Sequence, residues 1–277
     1  MRTLVLYVFH EYNDRVDFFI KNAIFKKADL DFLVICNDEY FDIKSKVPNY
    51  VAYLNRPNKG YDFAAWSHGL FYNDIYTNYD HFIFVNSSVM GPYLPSDFQG
   101  HWTDIYINGL LQDNVKLFGS TINSQFFLRK DIELKYHPIL FAHIQSYIFS
   151  MKRDTLEYLM QHEIFSKVNH SDVFFKTIED KELGMSRKII ENGWNIGCLM
   201  DRYAGIDFRF IYNKPQDYGI EFLGDVMFPE HINNIFKPEE IIFIKGNRCP
   251  NVPKPVITKK TLEVVELDDD DGLVSIF

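Results

Sequence analysis

Short apolar runs alternate with stretches of helical spacing over the first third of the chain. Residues 16–28 and 62–72 carry apolar positions at the spacing of helices that pack against a sheet. The apolar runs have the length of strands buried on both faces and lie at residues 4–9, 32–36, 51–54 and 82–85. Strands and helices in this order predict an α/β fold with a doubly wound, mostly parallel central sheet and a Rossmann-like N-terminal half.

Polar side chains follow each of these four predicted strands. The carboxyl ends of parallel strands meet at one edge of an open sheet, which is where ligands bind. The residues that would converge there are His10 and Glu11, Asn37 and Asp38, Asn58 with Gly60 and Asp62, and Asn86 with Ser87 and Ser88. Their convergence predicts a site for a small polar ligand, and a nucleotide fits it best.

The turn at residues 58–62 joins the third predicted strand to a helix. Asn58 and Gly60 can adopt turn or left-handed conformations at little cost. Asp62 stands at the helix start, where a carboxylate caps free N–H groups or reaches a ligand. A strand, a glycine turn and a helix N-terminus form the usual nucleotide site of an open α/β sheet. An ordinary βα turn is the alternative interpretation.

The pattern is less regular after residue 88. Further strands are predicted at residues 115–121, 143–150, 194–199 and 241–245. Further helices are predicted at residues 102–111, 153–162 and 179–192, with a polar loop at 126–137.

Composition excludes some kinds of partner and of site for this protein. The formal net charge of -9 argues against a nucleic-acid-binding protein, which needs a basic surface. Three widely separated cysteines, Cys36, Cys198 and Cys249, fit neither a zinc site nor a disulfide framework. No apolar stretch reaches transmembrane length, and Met1 leads directly into a predicted strand without a signal peptide. We therefore expect a cytoplasmic protein.

Five stretches occur in an order and spacing that is specific in combination. They are residues 58–63 (Asn-Lys-Gly-Tyr-Asp-Phe), 82–92 (Phe-Ile-Phe-Val-Asn-Ser-Ser-Val-Met-Gly-Pro), 143–146 (His-Ile-Gln-Ser), 182–186 (Glu-Leu-Gly-Met-Ser) and 242–248 (Ile-Phe-Ile-Lys-Gly-Asn-Arg). Together they resemble glycosyltransferases of the GT-A fold, specifically the rhamnan-synthesis-F-like family of bacteria and large DNA viruses. The resemblance covers residues 1–250.

The resemblance implies transfer of a hexose, rhamnose or pentose from a UDP-, GDP- or dTDP-sugar to a surface glycan or polysaccharide, with inversion. It implies one GT-A-like domain over residues 1–250, divided into a nucleotide-sugar-binding half (1–95) and an acceptor and catalytic half (96–250). Pro, Lys and a run of four Asp predict an extended acidic tail at residues 251–277. The protein would be free in the cytoplasm or peripheral at the membrane where glycans are assembled.

The sequence departs from the GT-A pattern at one important position. These enzymes usually hold Mn²⁺ or Mg²⁺ with an Asp-X-Asp motif after the fourth strand, where this chain reads Asn86-Ser87-Ser88. Amide and hydroxyl oxygens bind a hard cation weakly without anionic support. The donor diphosphate would then be bound by Lys245 and Arg248. A metal held elsewhere, by Asp38 or Asp201, is the alternative.

Inverting transfer needs a general base, which the family pattern places beside the Leu-Gly-Met-Ser run. Glu182 is the first candidate and Asp180 the second, at the predicted start of the helix over residues 179–192. A helix N-terminus keeps a carboxylate ionised, as a base requires. The alternative is that these acids only cap and solvate the helix.

The remaining site residues divide between donor and acceptor. His143 and Gln145 would lie on one face of the predicted strand over residues 143–150 and bind the acceptor, unless they are core residues. Asp62 would meet the ribose or sugar of the donor, and His10 with Glu11 the base or ribose. The other polar strand ends named above, with Lys245 and Arg248, complete the predicted donor site.

Two other functions remain open. A non-catalytic carbohydrate-binding or scaffold protein could keep the fold and lose the chemistry, as the missing Asp-X-Asp allows. A retaining glycosyltransferase is also compatible, since sequence does not fix stereochemistry. A Rossmann-type oxidoreductase is disfavoured because no Gly-X-Gly-X-X-Gly follows the first strand.

Overall fold

A seven-stranded sheet forms the centre of the molecule. The computed structural model describes residues 1–123, 142–209 and 225–256. Across the sheet the strands are β10 (Asn195–Cys198), β6 (Val115–Gly119), β9 (Ile148–Lys152), β4 (His81–Asn86), β1 (Thr3–Phe9), β2 (Leu30–Cys36) and β3 (Ala52–Asn55). Only β9 runs antiparallel to its neighbours, β4 and β6. The α/β class and the mostly parallel central sheet are confirmed.

The register brings the carboxyl ends of the strands to one edge, as predicted. Phe9 of β1 pairs with Cys36 of β2, Cys36 pairs with Asn55 of β3, and Val8 pairs with Asn86 of β4. All seven residues of β1 are buried, which explains its continuous apolar sequence. The chain builds β2 and β3 on one side of β1 and then returns to place β4 on the other side. That reversal creates a topological switch point between β1 and β4, where open α/β sheets bind ligands.

Helices and two small sheets surround this core. Among residues 1–123, 142–209 and 225–256, 3-10 helical segments occur at Ile43–Ser45, Tyr72–Asn78, Asp201–Tyr203 and Pro229–His231. The α-helices are α1 (Asp14–Asn22), α2 (Tyr61–Phe71), α3 (Trp102–Gly109), α4 (Arg153–Gln161), α5 (Phe174–Thr177), α6 (Gly184–Glu191) and α7 (Pro238–Ile241). A π-helical segment, Ile178–Leu183, joins α5 to α6. The small sheets pair β5 (Val89–Met90) with β11 (Ile244–Lys245), and β7 (Ile122–Asn123) with β8 (His143–Ile144).

The predicted bounds of two strands are wrong. The strand expected over residues 143–150 is broken after β8, because the N–H of Ser146 donates to the Glu182 carboxylate instead of to a strand. The strand expected over residues 241–245 is shortened to β11 because α7 runs to Ile241 and Ile242 takes a φ of 63°. The polar loop expected at 126–137 and residues 257–277 of the expected tail lie outside the described residues.

An aromatic cluster fills the space between α2 and the sheet. The rings of Phe84 and Phe149 stack at 4.8 Å between centroids, and those of Phe84 and Phe165 at 5.0 Å. Trp66 is fully buried against the edges of Phe84 and Phe149. Burial of each such ring contributes about 1.5–3 kcal/mol. This cluster packs the middle of α2 against β4 and β9.

Within the described ranges, no helix combines the length and the apolar character needed to cross a membrane.

Candidate active site

A cleft of about 330 Å³ opens where β4 ends, next to the switch point of the sheet. Most of its lining is polar or charged. These residues are Asp62, Asn86, Ser87, Ser88, Asn123, His143, Gln145, Ser146, Thr177, Glu182, Asp225, Lys245, Asn247 and Arg248. The aromatic and aliphatic lining residues are Tyr61, Phe63, Phe174, Ile178 and Leu183.

Asp62 and Asn86 are joined at the base of this cleft. The Nδ2 of Asn86 donates to Oδ2 of Asp62 at 2.9 Å, and Oδ1 of Asn86 accepts from the backbone N–H and the hydroxyl of Ser88. Burial raises the pKa of Asp62 to about 6, with the charge of Glu182 adding to the rise and Asn86 and Lys245 opposing it. Asp62 is therefore a carboxylate that pays a desolvation cost when ionised.

Glu182 lies in the π-helical segment, inside a continuous helical stretch from Phe174 to Glu191. The expectation that it stands at a helix start is wrong, so a helix N-terminus does not keep it ionised. Its Oε2 instead accepts from the backbone N–H of Ser146 at 2.9 Å and from the Ser146 hydroxyl. Its Oε1 lies 3.6 Å from Nε2 of His143. Burial acts to raise the pKa of Glu182, but Lys245, His143 and Ser146 outweigh it and hold that pKa below its usual value.

His143 and Gln145 both reach the cleft, although Gln145 lies beyond the end of β8 and not on a shared strand face. Gln145 is buried and accepts at Oε1 from the Thr121 hydroxyl at 2.8 Å. Its Nε2 donates to Oδ1 of Asp225 at 3.2 Å. Gln145 is thus held by partners on both sides, which fixes the direction of its amide.

Two cations from the end of the described chain complete the site. Lys245 sits on β11, and the N–H of the next residue, Gly246, donates to the carbonyl of Ser88 at 2.7 Å. Arg248 Nη1 donates to Oδ2 of Asp225 at 2.5 Å. The pKa of Asp225 is low because this bond and the Met227 N–H outweigh its burial.

Lys245 lies among acidic groups. Burial lowers its pKa most and Arg248 adds to the effect, whereas the charges of Glu182, Asp225 and Asp62 oppose it. Its ammonium group also lies 5.5 Å from the centre of the Tyr147 ring. The three carboxylates thus favour the protonated form of Lys245 against the effect of burial.

Sequence reasoning missed Asp225, Asn123 and, as the partner of Glu182, Ser146. Asn123 accepts at Oδ1 from the N–H of Val226 at 3.1 Å, which ties the loop of Asp225 to β7. Neither Asp225 nor Asn123 belongs to a recognisable motif, so no local signal marks them. Ser146 was within a quoted stretch, but its role depends on contact with a residue 36 positions later.

Several predicted donor residues lie at the same edge of the sheet but do not line the cleft. They are His10, Glu11, Asn37, Asp38 and Asn58. His10 Nδ1 is 2.9 Å from the carbonyl of Asn37, and Oδ1 of Asn37 accepts from the buried Arg56 at 2.8 Å. They form a polar group at the ends of β1 and β2. Asp180 is exposed and also lies outside the lining, as do Asp38 and Asp201.

Gly60 allows a close approach between chain segments and is not a lining residue. Its φ of 68° belongs to the left-handed region, and its N–H donates to Oδ1 of Asp172 at 2.7 Å. A Cβ on Gly60 would stand 2.7 Å from the Cβ atoms of Ala64 and His170. The turn therefore packs under the segment that leads into α5.

The described residues do not fit a divalent cation. No group of three His, Cys, Asp or Glu side chains within residues 1–123, 142–209 and 225–256 is arranged to hold one. At the position of the usual Asp-X-Asp motif, the side-chain oxygen Oδ1 of Asn86 already accepts two hydrogen bonds from Ser88. Asp62 is an acid in contact with Asn86, and its Oδ2 accepts a hydrogen bond from the Asn86 amide.

Comparison with known proteins gives a match to one protein family and several distant structural similarities. A family model described as rhamnan synthesis protein F matches residues 32–237, which is about three quarters of the chain. No curated protein sequence matches the chain.

Among the solved structures that match, three have 8–10% sequence identity to this chain. A CMP:2-keto-3-deoxy-manno-octonic acid synthetase in complex with CTP has a TM-score of 0.39, with 70% of this chain and 86% of that one covered. A 4-diphosphocytidyl-2C-methyl-D-erythritol synthase from Anaerococcus prevotii has a TM-score of 0.40 (65% and 83% covered). The apo form of the glycosyltransferase GlyE from Streptococcus pneumoniae has a TM-score of 0.38 (73% and 46% covered). At these scores they support no conclusion about activity.

Proposed function

Because this chain belongs to the rhamnan synthesis protein F family, we propose that it transfers a sugar from a nucleoside-diphosphate sugar to a hydroxyl of a polysaccharide, with inversion. One observation carries the proposal beyond the family. Glu182 is largely enclosed in the cleft, fixed by Ser146, and kept ionised by positive charge close by. An oriented, ionised carboxylate opposite two cations is the arrangement that inverting glycosyl transfer requires.

Glu182 acts as the general base. Its Oε2 is occupied by Ser146, so Oε1 is the oxygen that faces an incoming acceptor. As the acceptor oxygen attacks the anomeric carbon, Oε1 takes its proton and the bond from that carbon to the diphosphate oxygen breaks. His143, 3.6 Å from Oε1, positions the carboxylate and can bind the same acceptor. The low pKa keeps Glu182 ionised at neutral pH, which favours the base over an acid role.

Lys245 and Arg248 stabilise the departing diphosphate. Both line the cleft, and charge-assisted bonds to phosphate oxygens are about twice as strong as neutral ones. Arg248 is paired with Asp225 in the described structure, so a diphosphate would compete with that carboxylate for its guanidinium. Because the described residues do not fit a divalent cation, no step of this mechanism passes through one.

Asp62 and Asn86 bind the donor sugar or ribose through hydroxyl hydrogen bonds, with Ser87 and Ser88 alongside them. Gln145 orients the acceptor beside His143. The nucleoside end then extends toward the polar group at the ends of β1 and β2. Assignment of His10, Glu11, Asn37, Asp38 and Asn58 to the base and ribose stays a prediction.

Replacement of Glu182 by Gln tests the base. Transfer from a panel of UDP-, GDP- and dTDP-sugars to rhamnose oligosaccharides should fall about 100-fold or more, since general base catalysis contributes at least that much. Stabilisation of the protein by the donor should persist, because the amide keeps the shape of the side chain. Asp180→Asn is the matched control: Asp180 is exposed outside the cleft, so its replacement should leave the rate within about twofold.

Near-normal transfer by the Glu182→Gln variant would remove the assignment of the base. If the natural enzyme binds donors but neither transfers nor hydrolyses them, the chain is a non-catalytic binding protein. The anomeric configuration of the product, read by NMR, separates inversion from retention.

A further inference from the structure

The helical face that carries Glu182 continues as an apolar surface toward the mouth of the cleft. Phe174, Ile178 and Glu182 follow one another at intervals of four residues, and all three line the cleft. Residues four apart lie on one face of a helix. Phe174 and Glu182 are thus separated by about two helical turns along this face.

This surface is exposed although it is aromatic. Phe174 is 55% exposed, and its ring meets that of Tyr61 edge-on at 5.8 Å between centroids. The Tyr61 hydroxyl donates to the carbonyl of Asp172 at 3.1 Å, which fixes the ring at the start of α2. Large exposed apolar groups that are contiguous with a polar cleft mark a binding surface.

We propose that Tyr61, Phe174 and Ile178 form an acceptor strip, a subsite that binds the saccharide unit preceding the reacting hydroxyl. This inference rests on the function proposed above. A pyranose presents an apolar C–H face that packs on an aromatic ring, and its hydroxyls stay at the ring edge, where the polar lining of the cleft can bind them. A sugar with a methyl group in place of a hydroxymethyl group buries more apolar area on such a surface and should therefore bind it more tightly.

The surrounding charge favours a saccharide over a membrane surface as the occupant. Between residues 172 and 180 the exposed charged side chains are Asp172, Lys176, Glu179 and Asp180. Three acids against one base repel the anionic headgroups to which peripheral proteins bind. A neutral glycan meets no such repulsion, and the strip leads directly to the carboxylate that would activate its hydroxyl.

Phe174→Ala and Phe175→Ala form a matched pair of variants. Phe175 is the next residue and is 71% exposed, but it does not line the cleft. For Phe174→Ala we expect the KM for a rhamnose oligosaccharide acceptor to rise about tenfold, which corresponds to about 1.4 kcal/mol. The kcat at saturating acceptor, the donor-induced rise in melting temperature and donor hydrolysis without acceptor should stay unchanged. For Phe175→Ala all these quantities should stay within about twofold of the natural protein.

An unchanged acceptor KM in Phe174→Ala, or an equal rise in Phe175→Ala, overturns the acceptor strip while leaving the proposed transferase function intact. If no transfer occurs at all, saturation-transfer NMR with a rhamnose trisaccharide tests separately whether the acceptor strip binds a saccharide. Signals that are present with the natural protein and lost with Phe174→Ala support the strip, and their absence or persistence in both overturns it. Binding to phosphatidylglycerol vesicles that depends on Phe174, without trisaccharide binding, would identify a lipid surface instead.

Discussion

Asp62 lies in the cleft as an acidic side chain whose ionisation lowers the stability of the folded protein. Its folded-state pKa is raised from 3.8 to about 6 by burial, so ionisation is less favourable in the folded protein than in the unfolded chain. Above pH 6 the carboxylate is ionised in both states and the folded state carries the desolvation cost. Below about pH 4 it is protonated in both states and the cost disappears.

Asp62→Asn should therefore stabilise the protein in a pH-dependent way. The amide keeps an oxygen that can accept from Asn86, but it carries no charge to desolvate. We expect the melting temperature to exceed that of the natural protein by about 2–4 °C at pH 7–8, with the difference falling through pH 6 and vanishing near pH 4. Thermal melts across this range measure it. An increase that is independent of pH would show that the charge of Asp62 is not its cause.

At the residue scale, sequence could identify side chains but not their surroundings. Glu182 was found because the Leu-Gly-Met-Ser run follows it, and Lys245 and Arg248 because they close an apolar run. The factors that fix the protonation of Glu182 lie 36 residues before it, at Ser146, and 63 residues after it, at Lys245. Burial and contacts at such separations are products of the fold, so no local pattern contains them.

At the scale of elements, the turn between β3 and α2 shows how one glycine holds two segments together. Gly60→Ala would combine an unfavourable left-handed conformation with two carbon contacts of 2.7 Å, to Ala64 and His170. Gly193→Ala is the matched control, because Gly193 has a φ of 77° and nothing within 4 Å of its missing Cβ. The pair therefore separates backbone strain from packing.

Urea unfolding measures the free energy of unfolding of the two glycine variants. We expect Gly193→Ala to lower it by about 1–2 kcal/mol because of the left-handed backbone alone. Gly60→Ala should cost about 1–3 kcal/mol more because the segment before α5 is pushed away. Equal losses in the two variants would contradict the close packing of that segment on the turn.

Predicted elements succeeded where the hydrophobic pattern was regular. The runs that became β1, β2 and β4 are buried on both faces, so their sequences are continuously apolar and their positions were clear. The prediction of one continuous strand over β8 and β9 was wrong because the backbone at Ser146 is bound by the side chain of Glu182 and not by a neighbouring strand. The π-helical segment has no separate sequence signal, and the periodicity of α5 to α6 was read as a shorter α-helix.

At the scale of the whole molecule, charge is distributed unevenly. The chain carries a net charge of -9, yet Lys245 and Arg248 both line the cleft. Asp62, Glu182 and Asp225 line the same cleft, so a diphosphate bound there would be held by Lys245 and Arg248 against the repulsion of three carboxylates. The binding of nucleoside diphosphates should depend on these two cations more than on any added metal ion.

A thermal-shift screen with UDP, GDP and dTDP tests this dependence. The matching nucleotide at 100 times its Kd should stabilise the fold by about 2.7 kcal/mol, to the same extent with manganese and with a chelator. Lys245→Met should abolish most of the shift. Lys254→Ala, which removes an exposed lysine near Asp14, should not change it. A shift that requires manganese would instead assign the diphosphate charge to a bound cation.

The position of β11 near the end of the described chain means that Lys245 is synthesised after the acidic residues that face it. All seven strands of the central sheet lie between Thr3 and Cys198, so the ribosome delivers them before Lys245 emerges. Asp62 and Glu182 are then in place while the cation that faces them is still being synthesised. A nascent chain synthesised as far as β10 therefore contains every strand of the central sheet and no positive charge from β11.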